Sequence, residues 1–192
     1  MTIKYEKFSQ IQKAFLKCLI DNNLIINNQS NSQQMKYLNF KRQIEYFDSW
    51  SLSCESSCLA QSILNSSSIC IIGAGGVGTA LSMQFLSCGI GKIYLIDDDI
   101  IEESNLARQF LFSKSEIGRK KVEIISDKLN KRGLGTVVPI DNKISIHNIE
   151  DLIEMMPNVE IITGVPTPHS KNDYILLREM IKYGKAVICS DE

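Results

Sequence analysis

The feature that most restricts this chain is a glycine run, Gly73-Ala74-Gly75-Gly76-Val77-Gly78, set between a strand-like stretch and a helical one. The bare pattern is weak; its context makes it informative. Ser68 to Ile72 is a short apolar run that stops at glycine, as a buried parallel strand does. Val77 to Cys88 reads as a helix. Glycine lets a backbone turn tightly and approach a phosphate with no Cβ in the way. The unpaired N–H groups at the start of the helix then face the anion. Lys92 to Ile96 reads as a second strand, and Asp97 follows it, nineteen residues after Gly78. An acid at that place accepts hydrogen bonds from ribose hydroxyls. A glycine turn that merely packs helix on strand is the plainer alternative.

The same alternation continues downstream. Helices are expected at Ser115 to Lys131, Asn148 to Met156 and Ser170 to Tyr183. Strands are expected at Thr136 to Ile140, Val159 to Thr163 and Lys185 to Cys189. Pro139 pushes its strand toward a sheet edge or an early end. Alternating strands and helices predict an α/β chain: a Rossmann-like, doubly wound, mostly parallel sheet with helices on both faces. Its ligand belongs beyond the carboxyl ends of the strands. Upstream, Phe8, Ile11, Phe15, Leu16 and Leu19 recur at helical spacing, and a polar stretch from Asn22 to Gln34 follows. Two more helices are expected, Phe40 to Trp50 and Ser56 to Leu64. The expected division is residues 1–39, a helix and polar linker, and residues 40–192, a nucleotide-binding domain. A length of 192 residues suits one domain with an appendage.

Charge and composition exclude several partners. A formal net charge of −1 offers no field for nucleic acid or an anionic membrane. No apolar run reaches the roughly 20 residues of a spanning helix. Met1 to Leu19 mixes charge into its apolar positions and lacks a signal peptide's core. A cytoplasmic protein is expected. Of the six cysteines, Cys70, Cys88 and Cys189 are expected as small buried hydrophobes. Cys54 and Cys58 form a lone pair without the second cluster that zinc requires, so reduced thiols are expected and no residue is assigned as a metal ligand.

The glycine loop alone also permits a nicotinamide site. The next segment favours a triphosphate. Arg108 and Lys121 are placed to neutralise phosphate charge, and Asn105 to hold an oxygen or a metal-bound water. Of Lys120 and Lys121, one is expected to lie on a solvated helix face.

At this point the chain resembles a known family. Residues 73–121 are similar to the ThiF/MoeB/HesA group, related to the ubiquitin-activating enzymes. The likeness rests on the glycine loop, Gly89-Ile90-Gly91, the Asp97 and Asp99 pair, Ser104-Asn105-Leu106, Arg108-Gln109, and Gly118 with Lys121. The wording around Asp97 to Glu102 and Arg108 to Ser113 is similar to members that adenylate microcin-type peptides. The resemblance implies an ATP-dependent adenylyltransferase with ATP and Mg2+ as cofactors. Its substrate would be the carboxyl terminus of a peptide or of a ubiquitin-like or sulfur-carrier protein. Gly73, Gly75, Gly76, Gly78, Asp97, Asp99, Ser104, Asn105, Arg108 and Lys121 would form the nucleotide site. Gly76 would approach the phosphates, Asp97 would hold the ribose, and Asp99 would orient the loop. Arg42, in Phe40-Lys41-Arg42-Gln43-Ile44, resembles an arginine that reaches the partner's ATP across a homodimer; a surface helix charge is the alternative reading. Arg108, Lys121 and Arg42 would carry the catalytic role.

Two departures accompany the resemblance. The family places a magnesium-holding Asp near the end of the Val159 strand, where this chain reads Thr163-Gly164-Val165-Pro166 and Asp173 lies too far along. Magnesium would then be held by phosphates and water, with weak or absent turnover. The sequence also stops at Ser190-Asp191-Glu192, before the crossover and the substrate-binding half, so it reads as truncated relative to the family. A non-catalytic nucleotide-binding module is therefore the second reading. An NAD(P)-dependent oxidoreductase is the third.

Overall fold

Strand residues alternate their side chains between two faces, so a strand buried on both faces must be apolar at every position. The central strands here meet that demand. The computed structural model describes residues 37–50, 54–145, 147–156, 158–166, 178–181 and 186–190, together with residues 10, 13, 14, 17 and 175. They fall into two compact units, Met1–Ser62 and Ile63–Glu192.

The second unit is built on five parallel strands: β1 (Ser68–Ile72), β2 (Lys92–Ile96), β3 (Thr136–Ile140), β4 (Val159–Pro166) and β5 (Ala186–Ser190). Their spatial order is β3-β2-β1-β4-β5. The chain winds outward from β1 in one direction, then returns to β1 and winds outward in the other. The point of reversal lies between β1 and β4, and ligands bind outside the carboxyl ends at such a point.

Ile69 and Ile71 of β1, Ile93 and Leu95 of β2, and Val137 of β3 face one core, with Leu86, Val122, Ile125 and Leu129. Cys70, Tyr94, Ile96 and Ile140 face the other, with Ile149, Leu152, Met156, Ile162 and Met180. The first core is covered by α3 (Gly76–Ser87) and α4 (Lys121–Asn130), and the second by α5 (Ile149–Glu154). Helices on both faces of a parallel sheet are the expected architecture. Of the helix expected at Ser170 to Tyr183, Ile175 and residues 178–181 are described and are helical. Of the one expected at Phe8 to Leu19, only Gln10, Lys13, Ala14 and Lys17 are described, again helical.

The first unit contains α1 (Lys41–Trp50), preceded by a 3-10 turn at Leu38–Phe40, and most of α2 (Cys54–Ser66). Phe40, Ile44 and Cys58 are buried there, and Gln43 Nε2 donates to buried Gln61 Oε1 at 2.8 Å. The Ser57 hydroxyl donates to Asp48.

Three local expectations change. The helix expected from Ser115 begins only at Lys121. Gly118 sits at φ +88, a left-handed value that ends any helix, and residues 100–101 pair with the stretch before α4. Ile101 N–H donates to Arg119 O at 2.9 Å, and Gly118 N–H donates to Ile101 O at 2.8 Å. Cys88 is exposed instead of buried, because it caps α3 at the surface; Cys70 is buried as expected, and burial pushes its thiol pKa up to about 12. The Cys18 and Cys189 side chains lie outside the described residues. β4 outruns its expected end by three residues, because Val165 and Pro166 pair with β5 after its pairing with β1 has stopped at Thr163.

Pro139 lies, as its chemistry requires, on the edge strand β3. Along a strand the N–H and C=O of successive residues point alternately to either side. Thr136 N–H reaches inward to Gly91 O, so Val137 and Pro139 point outward and the missing N–H of Pro139 leaves no gap in the ladder. The outward groups of Val137 are taken by one side chain: its N–H donates to Asn130 Oδ1 at 2.7 Å and its carbonyl accepts from Asn130 Nδ2 at 3.0 Å. Asn130 thus stands in for a neighbouring strand and blunts the edge against further pairing.

Glu116 closes a capping box with Ser113 and pairs with Lys128 of α4 at 2.7 Å. Desolvation raises its pKa, but the hydrogen bonds from Lys128 and Ser113 and the Lys128 charge outweigh it and hold the carboxyl below its ordinary value.

Replacing Asn130 with Ala strands both outward groups of Val137. Urea unfolding should show a loss of about 1–2 kcal/mol, with more self-association; an unchanged midpoint would contradict the capping role. Glu116, with its depressed pKa, contributes stability that is present above its unfolded value of about 4.3 and lost as pH falls through the folded value. Urea titrations at pH 7 and pH 3 should therefore show wild type losing more stability than Glu116→Gln; equal losses would remove Glu116 from the acid response.

Candidate functional site

The glycine loop leaves β1 at Gly73, which adopts φ +91, and its N–H continues the ladder to Ile96 O at 2.8 Å. Gly75 caps α3 and Gly76 is its first residue. Gly78 has a steric reason to be glycine. A Cβ there would lie 1.8 Å from the carbonyl oxygen of Gly73. Gly75 has none: its φ is −74, and a Cβ would meet nothing within 4 Å. The open space before Gly75, at the N-terminus of a 12-residue helix, fits an anion's close approach.

Asp97 stands beyond the end of β2 and ties the loop down. Its Oδ2 accepts from Ala74 N–H at 2.6 Å and its Oδ1 from Asp99 N–H at 2.7 Å. Each carboxylate oxygen has a second lone pair, so ribose hydroxyls can still be accepted. Asp97, Asp98 and Asp99 each bring one oxygen within 4.8 Å of the other two. This concentration of negative charge would repel a triphosphate unless cations offset it.

Those cations come from the start of α4. Lys121 is buried, with its side chain 7% exposed, and its Nζ lies 2.7 Å from Asp99 Oδ2. Its backbone N–H donates to Asp99 O at 3.1 Å, so the two residues are joined twice. Lys120, just before α4, keeps a third of its side chain exposed, whereas Lys121 does not. Lys120 Nζ donates to Asp98 O at 2.7 Å and pairs with Asp141 at 2.8 Å. The Asp141 hydrogen bond raises the Lys120 pKa, aided by the charges of Asp141, Asp98 and Asp97. Asp141 follows β3 as Asp97 follows β2; acids just past strand ends are the signal by which it could have been found.

The turn between these groups is held by its own side chains. Glu102 and Asn105 form a capping box around the 3-10 turn Glu103–Asn105, with Glu102 N–H donating to Asn105 Oδ1 at 3.0 Å. That occupies the amide oxygen of Asn105 and leaves Nδ2, 3.5 Å from Ser104 Oγ, as the group able to donate to a phosphate. Arg108 is exposed, and its Nη1 reaches Ser104 O at 3.1 Å. The carbonyl of Arg108 lies 3.8 Å from where a Cβ on Gly76 would be, so this turn packs on the glycine loop.

The ten expected nucleotide-site residues therefore gather at the carboxyl ends of β1 and β2 in one unit. Arg42 belongs to the other unit, exposed on α1 with no hydrogen bond or ion pair among the described residues. Gln109, quoted in the motif but given no role above, is 1% exposed, and its Oε1 has no partner. A buried acceptor left unmade costs about 1–3 kcal/mol, which marks it as a group awaiting a donor.

The fold is a Rossmann-type parallel sheet with the glycine loop after β1, Asp97 after β2, and Lys121 of α4 bonded to Asp99. The chain belongs to the ThiF family, which it matches over residues 40–191. It is 32% identical to the adenylyltransferase and sulfurtransferase MOCS3 of Xenopus laevis over 118 residues, 59% of this chain and 26% of that protein. It is 44% identical to a probable molybdopterin-synthase adenylyltransferase of Porphyra purpurea over 69 residues, 36% of this chain and 18% of that protein. Among solved structures, E. coli MccB with ATP superimposes with a TM-score of 0.69 at 27% identity, covering 94% of this chain and 52% of MccB. The chain thus spans about a quarter of the curated relatives' length and half of MccB's. No helix among the described residues is long and apolar enough to cross a membrane.

The two glycines should separate under substitution. Gly78→Ala forces backbone apart and should lower stability by more than about 3 kcal/mol. Gly75→Ala should leave the thermal midpoint of the free protein within about 2 °C of wild type. A stable Gly78→Ala protein, or an unstable Gly75→Ala one, would refute this assignment.

Proposed function

We propose that this chain binds magnesium-ATP at the ends of β1 and β2 and adenylates a carboxylate at the terminus of a peptide or small protein. The observation that supports this reading is the Asp97 carboxylate, which ties Ala74 of the glycine loop to Asp99, with Lys121 bonded to Asp99 and the Arg108 carbonyl packed on Gly76. A dinucleotide bridge carries two phosphates and needs fewer donors than Lys121, Arg108 and Asn105 would supply. The relatives named adenylyltransferases and the fold shared with ATP-bound MccB support it.

In this reaction the substrate carboxylate attacks the α-phosphorus, an acyl-adenylate forms, and pyrophosphate leaves with the departing electron pair. The protein's part is alignment and charge neutralisation. Gly75 and Gly76 admit the phosphates, and Asp97 accepts from the ribose. Asn105 Nδ2, Arg108 and Lys121 donate to the triphosphate. Asp99 and Lys120 hold Lys121 and the Asp98 segment in place. Bound magnesium would supply charge neutralisation on the phosphates. Arg42 would reach the nucleotide of a second copy in a homodimer, and the protein would work in the cytoplasm. The division at residue 40 remains part of this proposal.

One observation favours a second reading, a nucleotide-binding module without turnover. β4 ends Thr163-Gly164-Val165-Pro166, a stretch without a carboxylate for magnesium.

Titration calorimetry should show binding of magnesium-ATP but not NAD. Arg108→Ala should weaken it about 10- to 100-fold, as loss of a charge-assisted hydrogen bond does. Pyrophosphate exchange that depends on an added peptide carboxylate distinguishes the two readings. Tight NADH binding without ATP competition would sink both.

A further inference from the structure

We infer that Asp141 and Lys120 are positioning residues for the ribose end of the site, their ion pair holding the Asp98 carbonyl so that the Asp97 carboxylate stays available to the ribose. This rests on the nucleotide reading above, in which Asp97 accepts from the ribose. Lys120 is the residue just before α4, and Asp141 the residue just after β3. Lys120 Nζ donates to Asp98 O at 2.7 Å and lies 2.8 Å from Asp141 Oδ1. The ammonium therefore grips the main chain next to Asp97. The exit of β3 reaches the same place through the backbone. Asp97 N–H donates to Ile140 O at 3.2 Å, and Asn142 N–H donates to the same oxygen at 3.0 Å. Asp141 sits in the turn between those two residues, Ile140 and Asn142. The end of β2, the end of β3 and the start of α4 are thus joined at Asp97 and Asp98.

The acidic segment has reason to need such a hold. The paired register of β2 with both its neighbours ends at Ile96. Beyond it, Asp97, Asp98 and Asp99 each bring one oxygen within 4.8 Å of the other two, and like charges so close push one another apart. A lysine fixed at Asp98 O offsets that repulsion. A lysine without Asp141 would not stay there. The hydrogen bond to Asp141 raises the Lys120 pKa most, and the charges of Asp98 and Asp97 also raise it, so those two acids attract the ammonium as well. Turned onto Asp97, the ammonium would occupy the lone pairs that ribose hydroxyls require. Asp141 supplies the counter-charge that keeps it at the carbonyl. The two side chains are 33% and 45% exposed, so the pair contributes little to folding. Its effect falls on where Asp97 and Lys120 stand.

The test measures calorimetric affinities of the full chain for ATP and for 2′,3′-dideoxy-ATP, both with magnesium. Their ratio reports the ribose contacts, because any general charge effect on the phosphates is common to the two. Wild type should prefer ATP. In Asp141→Ala that preference should shrink about 5- to 10-fold, while the thermal midpoint stays within about 2 °C of wild type. Asp141→Glu, which keeps the charge, should restore the preference. Lys120→Met keeps the stem and loses the ammonium. It should show the same loss, and Asp141→Ala added to it should change the ratio no further. An unaltered preference in Asp141→Ala or in Lys120→Met overturns the inference. Equal weakening of both nucleotides assigns the pair a structural role and also overturns it, as do independent, additive losses in the double variant. A wild-type protein that binds neither nucleotide, or binds both equally, overturns the underlying reading, an outcome distinct from the others because it appears before any substitution is made.

Discussion

The carboxylate of Asp97 is the interaction on which the rest of the site depends. It holds the glycine loop and the acidic segment together, through Ala74 N–H on one oxygen and Asp99 N–H on the other. The first bond fixes the approach to α3. The second fixes Asp99, and Asp99 in turn fixes Lys121, the first residue of α4. A single acid at the end of β2 thereby sets the relation between two helix starts. Both starts carry unpaired N–H groups and positive partial charge. An anion bound between them meets a frame that is already in place, which is the condition for electrostatic stabilisation without reorganisation.

Much of this was legible in the sequence because it is local. The glycine spacing carries a steric demand between Gly73 and Gly78, five residues apart, and a reader of the sequence meets both at once. The apolar strands announce themselves because each must satisfy two faces. Pro139 declares an edge because it lacks an N–H. What the sequence hid is what arises between distant segments. The Lys121–Asp99 bond joins residues 22 apart, and the Lys128–Glu116 bond residues 12 apart. The delayed start of α4 comes from pairing between residues 100–101 and 118–120, which no helical periodicity reports. Asn130 looks like any polar residue at a helix end until β3 is placed beside it.

The cations are arranged by competition. Lys121 already has an acid partner, so a phosphate must share it with Asp99 and does not find it free. The carboxylate keeps the ammonium in one position, and side-chain entropy that binding would otherwise remove is lost in folding instead. The drawback is residual negative charge beside an anion site. Asp98 and Asp99 lie at the surface, where solvent and salt screen them. Lys120 further offsets them through Asp98 O and Asp141. Arg108, with no acid partner among the described residues, is the donor that would be able to move toward a ligand.

Binding and turnover make different demands on this frame. Binding as proposed would need donors for phosphate and an acceptor for ribose, and the residues proposed for these lie in the loop after β1 and between the end of β2 and the start of α4. Turnover in the proposed reaction would also need the α-phosphorus held in line with an incoming carboxylate, and β4 is the strand on the other side of β1 from β2. There the chain offers Thr163 to Pro166, with a register shift against β5 between Thr163 and Val165. Past the end of β1, β4 continues along β5. In the proposed reaction an ion's position would then be set from the β1 and β2 side. Lys121 and Arg108 would fix the phosphates that carry the ion. An ion held in that way keeps its charge but has more freedom, so the alignment of the α-phosphorus is where a deficit would fall.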